Sequence, residues 1–472
     1  MAVVDSPDLF EPPAPVPRPY PPSKLEIIRT VLRNPLELWG VPSYTLPWIE
    51  TRFFGRTTVI VNDPDLIRHV LVDNAGNYVM DKVRQLVLRP ILRDGLLTAE
   101  GGVWKRSRKA MAPVFTPRHA RGFARQMLEK SEEFAARYAT ADARGMVRDI
   151  AVDMTGLTYL ILSETLFSGE IATDGDDVAG DVDALLHHMG RIDPLDMLAA
   201  PEWIPRLARV RGRGVLRKFR ALVRTTMEKR KAAIVRDPQS APRDFLTLLL
   251  EVEGPQGLTT EEVEDNILTF IGAGHETTAR ALAWTFFCVA NCPDIRDRME
   301  VEIDAVLDSG ADPVDWLERM PLVRAAFEEA LRLYPPAPSI NRQTVADDRF
   351  EAPDGTAIDI RKGATILIMP WTLHRHELYW EHPRAFDPSR FLPENRDKIG
   401  RFQYLPFGAG ARVCIGATFA LQEAVIALAV LMRRYRFDMT AETRPWPVQK
   451  LTVQPAGGLP MRVTARSAVS RP

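Results

Sequence analysis

Cysteine is scarce in this 472-residue chain: only Cys288, Cys292 and Cys414 are present. So few thiols exclude a disulfide-stapled scaffold. An excess of one charge is missing too. The 61 Lys and Arg against 62 Asp and Glu leave a formal net charge of −1, so bulk electrostatics give no case for nucleic-acid binding. The longest apolar runs, Ala281 to Ala290 and Ala424 to Met432, are too short to cross a bilayer. No basic stretch followed by an apolar core opens the chain, so no signal peptide or membrane anchor is expected, and a cytoplasmic monomer is. At 46% hydrophobic and 26% charged residues the composition is that of an ordinary globular protein. Proline alone is crowded. Seven prolines between Pro12 and Pro22 predict an extended, poorly ordered arm over residues 1–23.

Lys24 to Trp39 is amphipathic and predicts a helix. Thr51 to Asn62, with Gly55-Arg56 between apolar runs, predicts a β-hairpin, and Asp63-Pro64 opens a short helix to Val72. Tyr78 to Glu100 is apolar without a clean period, as suits a segment that covers something. Trp104 and Arg108 lie four apart, on one helix face, where they either address one anion or form a basic surface. Lys105, Arg106 and Lys109 point elsewhere, as a docking patch for an acidic electron donor or as a solvated face. Ile192 to Leu207, with Trp203 among prolines, reads as a lid over an apolar ligand or as a tucked-in loop. The adjacent His187 and His188 face different sides of a helix and make a weak ligand pair; Cys288 and Cys292 read as core residues. Ile366 to Trp371 and Leu451 to Val453 are strand-like, and Pro455 to Pro460 suggests a hairpin tip.

Two stretches carry chemistry. In Phe407-Gly408-Ala409-Gly410-Ala411-Arg412-Val413-Cys414-Ile415-Gly416, one cysteine sits in a glycine-built loop just before a helical run, Ala417 to Met432. An inert buried cysteine would need none of this. An axial ligand to haem iron would: the ligand is the thiolate, which must be favoured by nearby N–H groups and a helix N-terminus. Glycines at 408, 410 and 416 allow backbone angles closed to other residues, Arg412 can neutralise a haem propionate, and Phe407 can shield the sulfur. The second stretch lies in a long helix announced by a capping box at Thr259-Thr260-Glu261-Glu262. At its centre stands Gly272-Ala273-Gly274-His275-Glu276-Thr277-Thr278. Each glycine there weakens the helix by roughly 1 kcal/mol relative to alanine. That loss suits a widened turn that opens a notch for a small ligand, held by a bond from Thr277 to a backbone carbonyl. Glu276 beside Thr277 supplies a carboxylate and a hydroxyl for relaying protons.

On these residues the chain resembles the cytochrome P450 family, in its soluble bacterial-type, stand-alone form. The family's Phe-x-x-Gly-x-Arg-x-Cys-x-Gly pattern is met by Phe407, Gly410, Arg412, Cys414 and Gly416, with Cys414 the implied metal ligand. Its oxygen-groove motif is met by Ala273, Gly274, Glu276, Thr277 and Thr278, with His275 in the variable slot and given no catalytic role. Trp-x-x-x-Arg at Trp104 and Arg108 implies contact with a propionate; Glu-x-x-Arg at Glu329 and Arg332, with Arg390, implies a structural triad. By the same resemblance Arg342 meets the other propionate, and Ala273, Ile340 and Leu459 face the substrate. Gly408 joins the cofactor loop.

The resemblance covers roughly Lys24 onward and implies that residues 24–472 form a single haem domain. It implies a mainly α (α+β) fold with a large helical lobe and a small β-rich lobe around a buried haem b. The implied activity is O2-dependent hydroxylation or epoxidation of a lipophilic small molecule, a fatty acid or terpenoid, with a thiolate ligand favouring O–O cleavage. The sequence shows no flavin or iron–sulfur segment, so the expected electron donor is a separate ferredoxin or flavodoxin. A peroxygenase or isomerase would not need the Glu276–Thr277 pair, and a haem-based sensor or carrier would need no proton relay.

Overall fold

The computed structural model describes residues 9–53, 56–139, 145–170, 206–239, 241–254 and 257–466. The Gly55 turn, His187 and His188, and residues 192–205 of the expected lid lie outside them.

The central helix, Thr260–Ala290, is the axis of the molecule. Its capping box forms as the spacing predicts. The Glu262 amide donates to Thr259 Oγ1 at 3.1 Å, and the Thr259 amide donates to Glu262 Oε2 at 2.9 Å. The widened turn does not form; the helix stays α throughout. Gly274 has a packing cause instead: a Cβ there would lie 2.3 Å from Leu162 Cδ1 on the core helix, Ile150–Phe167, so glycine lets the two helices close together. By length and composition the core helix could cross a membrane, which corrects the expectation that every apolar run is too short. Yet 72% of it is buried inside the fold, as in a core helix of a globular body.

The cysteine helix, Ala417–Arg434, packs against helix Ala124–Ala135 and against the clamp helix, Pro321–Leu333. One apolar cluster runs through all of these helices. Inside it Trp284 stacks flat on Tyr334, with ring centroids 3.8 Å apart and planes 7° apart.

The β lobe is smaller. Strands β1 (Trp48–Phe53) and β2 (Arg56–Val61) form the expected hairpin. With β3 (Tyr78–Met80), β4 (Ile340–Thr344) and β5 (Thr365–Ile368) they make a sheet of order β1-β2-β5-β4-β3, in which only β2–β5 is parallel. Val59, Val61, Ile366 and Ile368 pack with Leu66 and Ile67 in a separate apolar cluster beneath it. Near the C-terminus Pro447–Gln449 pairs with Val453–Pro455, so Leu451 and Thr452 form a turn rather than the expected strand.

The proline-rich arm is extended but, from residue 9 on, docked, which corrects the expectation of poor order. The Phe10 carbonyl accepts from the Phe386 amide at 2.9 Å, the Pro13 carbonyl accepts from Tyr334 Oη at 2.8 Å, and the Phe10 ring meets Phe287 edge-on. A polyproline backbone leaves its carbonyls free for such bonds.

Candidate haem-thiolate site

The cysteine loop is shaped by two glycines. Gly408 and Gly410 hold φ of 70° and 72°, and a Cβ on Gly410 would sit 1.9 Å from the Leu71 carbonyl oxygen. Gly416 needs no such angle, at φ −91°; its amide matters instead, as a donor to the Cys414 sulfur. The Cys414 amide closes the loop onto the Phe407 carbonyl at 2.8 Å. The Cys414 side chain has accessible surface, yet protein atoms surround it densely. Both hold because that surface faces a recess within the fold. Burial there pushes the thiol above its ordinary pKa, opposed by the Gly416 amide and then by Arg108. A bound metal deprotonates a coordinating thiol outright, so this environment suits a metal-held thiolate.

The central helix opens at one place. Ala273 is exposed and Thr277 half-buried in a helix whose neighbouring residues are almost all buried, and the two share a face at i and i+4. Thr277 Oγ1 donates to the Ala273 carbonyl at 2.9 Å. Glu276 is buried and turned elsewhere: its Oε1 accepts from Thr452 Oγ1 at 2.7 Å and lies 3.9 Å from Arg280 Nε. His275 is buried, with Nδ1 2.7 Å from the Ile271 carbonyl and its ring edge-on to Tyr159. It faces the core helix, in keeping with a packing role.

Arginines gather beside the cysteine loop. Arg412 donates to Glu100 Oε2 at 2.6 Å and to the Ala99 carbonyl at 2.8 Å, and its guanidinium lies 4.8 Å from the centre of the Trp104 ring. Arg108 donates to the Val413 carbonyl at 2.9 Å. Trp104 and Arg108 therefore converge on the loop by separate contacts. Arg342, carried in on β4, donates to the Asn341 carbonyl at 3.0 Å. Burial first, then repulsion from Arg412 and Arg84, pushes its pKa down to about 10, with Glu100 opposing. Such crowded cations fit a group with two carboxylates, as haem b has. Phe407 packs on the main core, and Ile340 Cδ1 would lie 3.8 Å from a Cβ on Gly408, so β4 touches the loop.

The cytochrome P450 family model matches residues 45–461, spanning the loop, the groove and the arginines. The chain belongs to the cytochrome P450 family. Cyclooctatin synthase of Streptomyces melanosporofaciens is 30% identical over 441 residues, covering 91% of each chain. Pentalenene oxygenase of Streptomyces avermitilis is 29% identical, covering 93% of this chain and 94% of that one. A putative cytochrome P450 132 of Mycobacterium tuberculosis is 31% identical over 87% of this chain and 88% of its own. The crystal structure of a cytochrome P450DA heme domain superposes with a TM-score of 0.77 at 24% identity, covering 97% and 99%, which shows the shared fold. As a cytochrome P450 the protein is an O2-dependent monooxygenase with haem b as its cofactor.

In this P450 the three expected clamp residues come together. Arg332 Nε and Nη2 donate to the two oxygens of Glu329, each at 2.7 Å, with both side chains fully buried. Arg390 Nε lies 3.5 Å from Glu329 Oε1. Arg332 also donates to the carbonyls of His374 (2.6 Å), Pro383 (2.7 Å) and Ala385 (2.8 Å). His374 ties this clamp to the segment leading to the cysteine. Its Nε2 accepts from the Leu405 amide at 2.8 Å, so the ring proton sits on Nδ1, which donates to the Arg332 carbonyl at 3.2 Å. Burial, with Arg332 nearby, pushes the His374 pKa down to about 3.

Leu459 does not line an open space, a correction to its expected pocket role. It is fully buried, its amide donates to Asp149 Oδ1 at 2.9 Å, and its carbonyl accepts from the Ile150 amide. Gly457 and Gly458, at φ 76° and 87°, turn the chain inward there. The C-terminal residue that does reach the central helix here is Thr452, through Glu276. Sequence reasoning missed it, along with Arg84 and His374, because none belongs to a local motif.

Proposed function

We propose that residues 24–472 form a single haem domain that oxygenates a lipophilic, terpenoid-like or fatty-acid-like small molecule. In this reading Cys414 would ligate the haem iron, and Trp104, Arg108, Arg342 and Arg412 would hold the propionates. Phe407, Gly408, Gly416 and Ala273 would line the cofactor's site. When bound, haem with a thiolate ligand supplies O2 activation and O–O cleavage. The chain's own residues do the rest. Thr277 holds a hydroxyl proton at the mouth of the groove, and Glu276, buried and drawn toward Thr452, holds or passes a proton from behind it. Glu329, Arg332 and Arg390 fix the segment that leads into the loop.

The observation that carries this reading is the recess-facing Cys414 in a molecule whose central helix is open at Ala273 and Thr277. A relative named for oxygenating pentalenene supports the lipophilic substrate. We assign the electrons to a separate ferredoxin or flavodoxin and the protein to the cytoplasm as a monomer. Exposed Lys105 and Lys109 support docking of an acidic donor; Arg106 instead pairs with Glu262 at 2.6 Å.

The test is product analysis with 18O2, a ferredoxin and its reductase, over a panel of terpenes and fatty acids. Label in a hydroxylated or epoxidised product is the expected result. Turnover of polar molecules alone would overturn the substrate class.

A further inference from the structure

A second opening lies between the end of helix Lys82–Leu92 and the basic helix, Leu207–Arg236. Pro90, Arg93, Arg213, Leu216, Arg217 and Arg220 line a cavity of about 460 Å3 there. Arg213, Arg217 and Arg220 follow one face of the basic helix at i, i+4 and i+7. Arg220 is already answered: it is buried and donates to Glu264 at 2.6 Å, to Asp265 at 3.0 Å and to the Ile91 carbonyl at 2.9 Å. Arg224 takes the other Glu264 oxygen at 2.7 Å. The neighbouring acids of the central helix are thus engaged.

Among the described residues, no carboxylate lies within ion-pair distance of Arg213 or Arg217, and Arg93 feels the Asp265 carboxylate only from farther away. Arg93 is also held at φ 43°, a left-handed angle that non-glycine residues seldom adopt and that persists only where its surroundings enforce it. The enforcement is visible. The Asp94 amide donates to Asp265 Oδ2 at 3.2 Å, and at Gly95 a Cβ would lie 2.1 Å from Thr269 Oγ1, so the turn is pressed onto the central helix.

Guanidinium groups facing one opening repel each other and match a carboxylate or phosphate. The cavity exceeds either group alone, and Pro90 and Leu216 add apolar wall. Its place along the molecule is set by Asp265, eight positions before Ala273 on the same helix, or about 12 Å at 1.5 Å per residue.

We propose that this cavity binds the anionic headgroup, carboxylate or phosphate monoester, of an amphiphilic ligand whose apolar chain lies against Pro90 and Leu216. The tail rests on that apolar wall; the headgroup rests on the arginines.

Isothermal titration of the haem-loaded protein with decanoate, decyl phosphate and decanol tests it. At least one anionic ligand binds about tenfold more tightly than decanol, and the tighter of the two identifies the headgroup. Added salt or inorganic phosphate erodes that advantage. The double variant Arg213→Ala with Arg217→Ala, both exposed positions, loses the advantage while its haem content and carbon-monoxide spectrum stay those of the wild type. Equal affinity for decanol and both anions, no binding of either anion, or unchanged anion affinity in the double variant overturns the proposal. The carbon-monoxide spectrum of the same sample separates the two failures: a thiolate band without headgroup preference sinks only the cavity, whereas headgroup preference without that band sinks the haem-thiolate site.

Discussion

Arg332 and Arg342 stand ten positions apart in the chain, and their surroundings differ in kind. Arg332 is finished: a bidentate carboxylate, three carbonyls and the Trp380 ring at 5.0 Å answer its guanidinium. Arg342 makes one bond to a carbonyl and feels Arg412 and Arg84 more strongly than Glu100. The first arrangement is a closed clamp whose value is structural. The second is an open cluster that gains from a dianion. Charge pairing thus separates residues that hold the fold from those proposed to receive a cofactor.

The largest effect should come from breaking the clamp. Glu329→Gln leaves Arg332 buried and unpaired, and about 3–5 kcal/mol of stability is lost. Thermal unfolding and haem content should both fall; a variant as stable as the wild type would remove the distinction. His374 sharpens the same side through pH. Its folded pKa of about 3 lies below the ordinary 6.5, so between these values the unfolded chain takes up a proton that the folded one refuses. Its contribution is complete above about pH 6.5 and is lost as pH falls toward 3, at up to ~1.4 kcal/mol per pH unit. Urea midpoints against pH should show a shallower acid slope for His374→Gln than for the wild type.

On the open side, Arg342→Met should leave unfolding of the polypeptide little changed. It should speed loss of haem to excess apomyoglobin by about tenfold, the size of one charge-assisted bond. Equal haem retention would mean that the cluster does not hold the cofactor. The smallest effect is expected at Thr452→Val. Losing one hydrogen bond to Glu276, ~1 kcal/mol, should raise the peroxide released per electron consumed by about fivefold.

The parts of the site written at short, fixed spacings were legible in the sequence. The cysteine loop, the Glu276–Thr277 pair, the Glu329–Arg332 pair and the Thr259 capping box each lie within one turn or one helix, where periodicity decides who meets whom. Thr452 meets Glu276 across 176 residues and Arg84 joins Arg342 from another strand-to-helix segment, so no local pattern announces either. Gly274 misled for a related reason. A mid-helix glycine looks like a weakness until Leu162 on another helix occupies the space of its missing Cβ.

The central claim is that Cys414 binds iron as a thiolate, and the reduced carbon-monoxide spectrum tests it most directly. The wild type should show the strongly red-shifted Soret band of a thiolate complex, and Cys414→Ala should lose it. A globin-like band in the wild type, or a red-shifted band that survives in Cys414→Ala, would contradict the account.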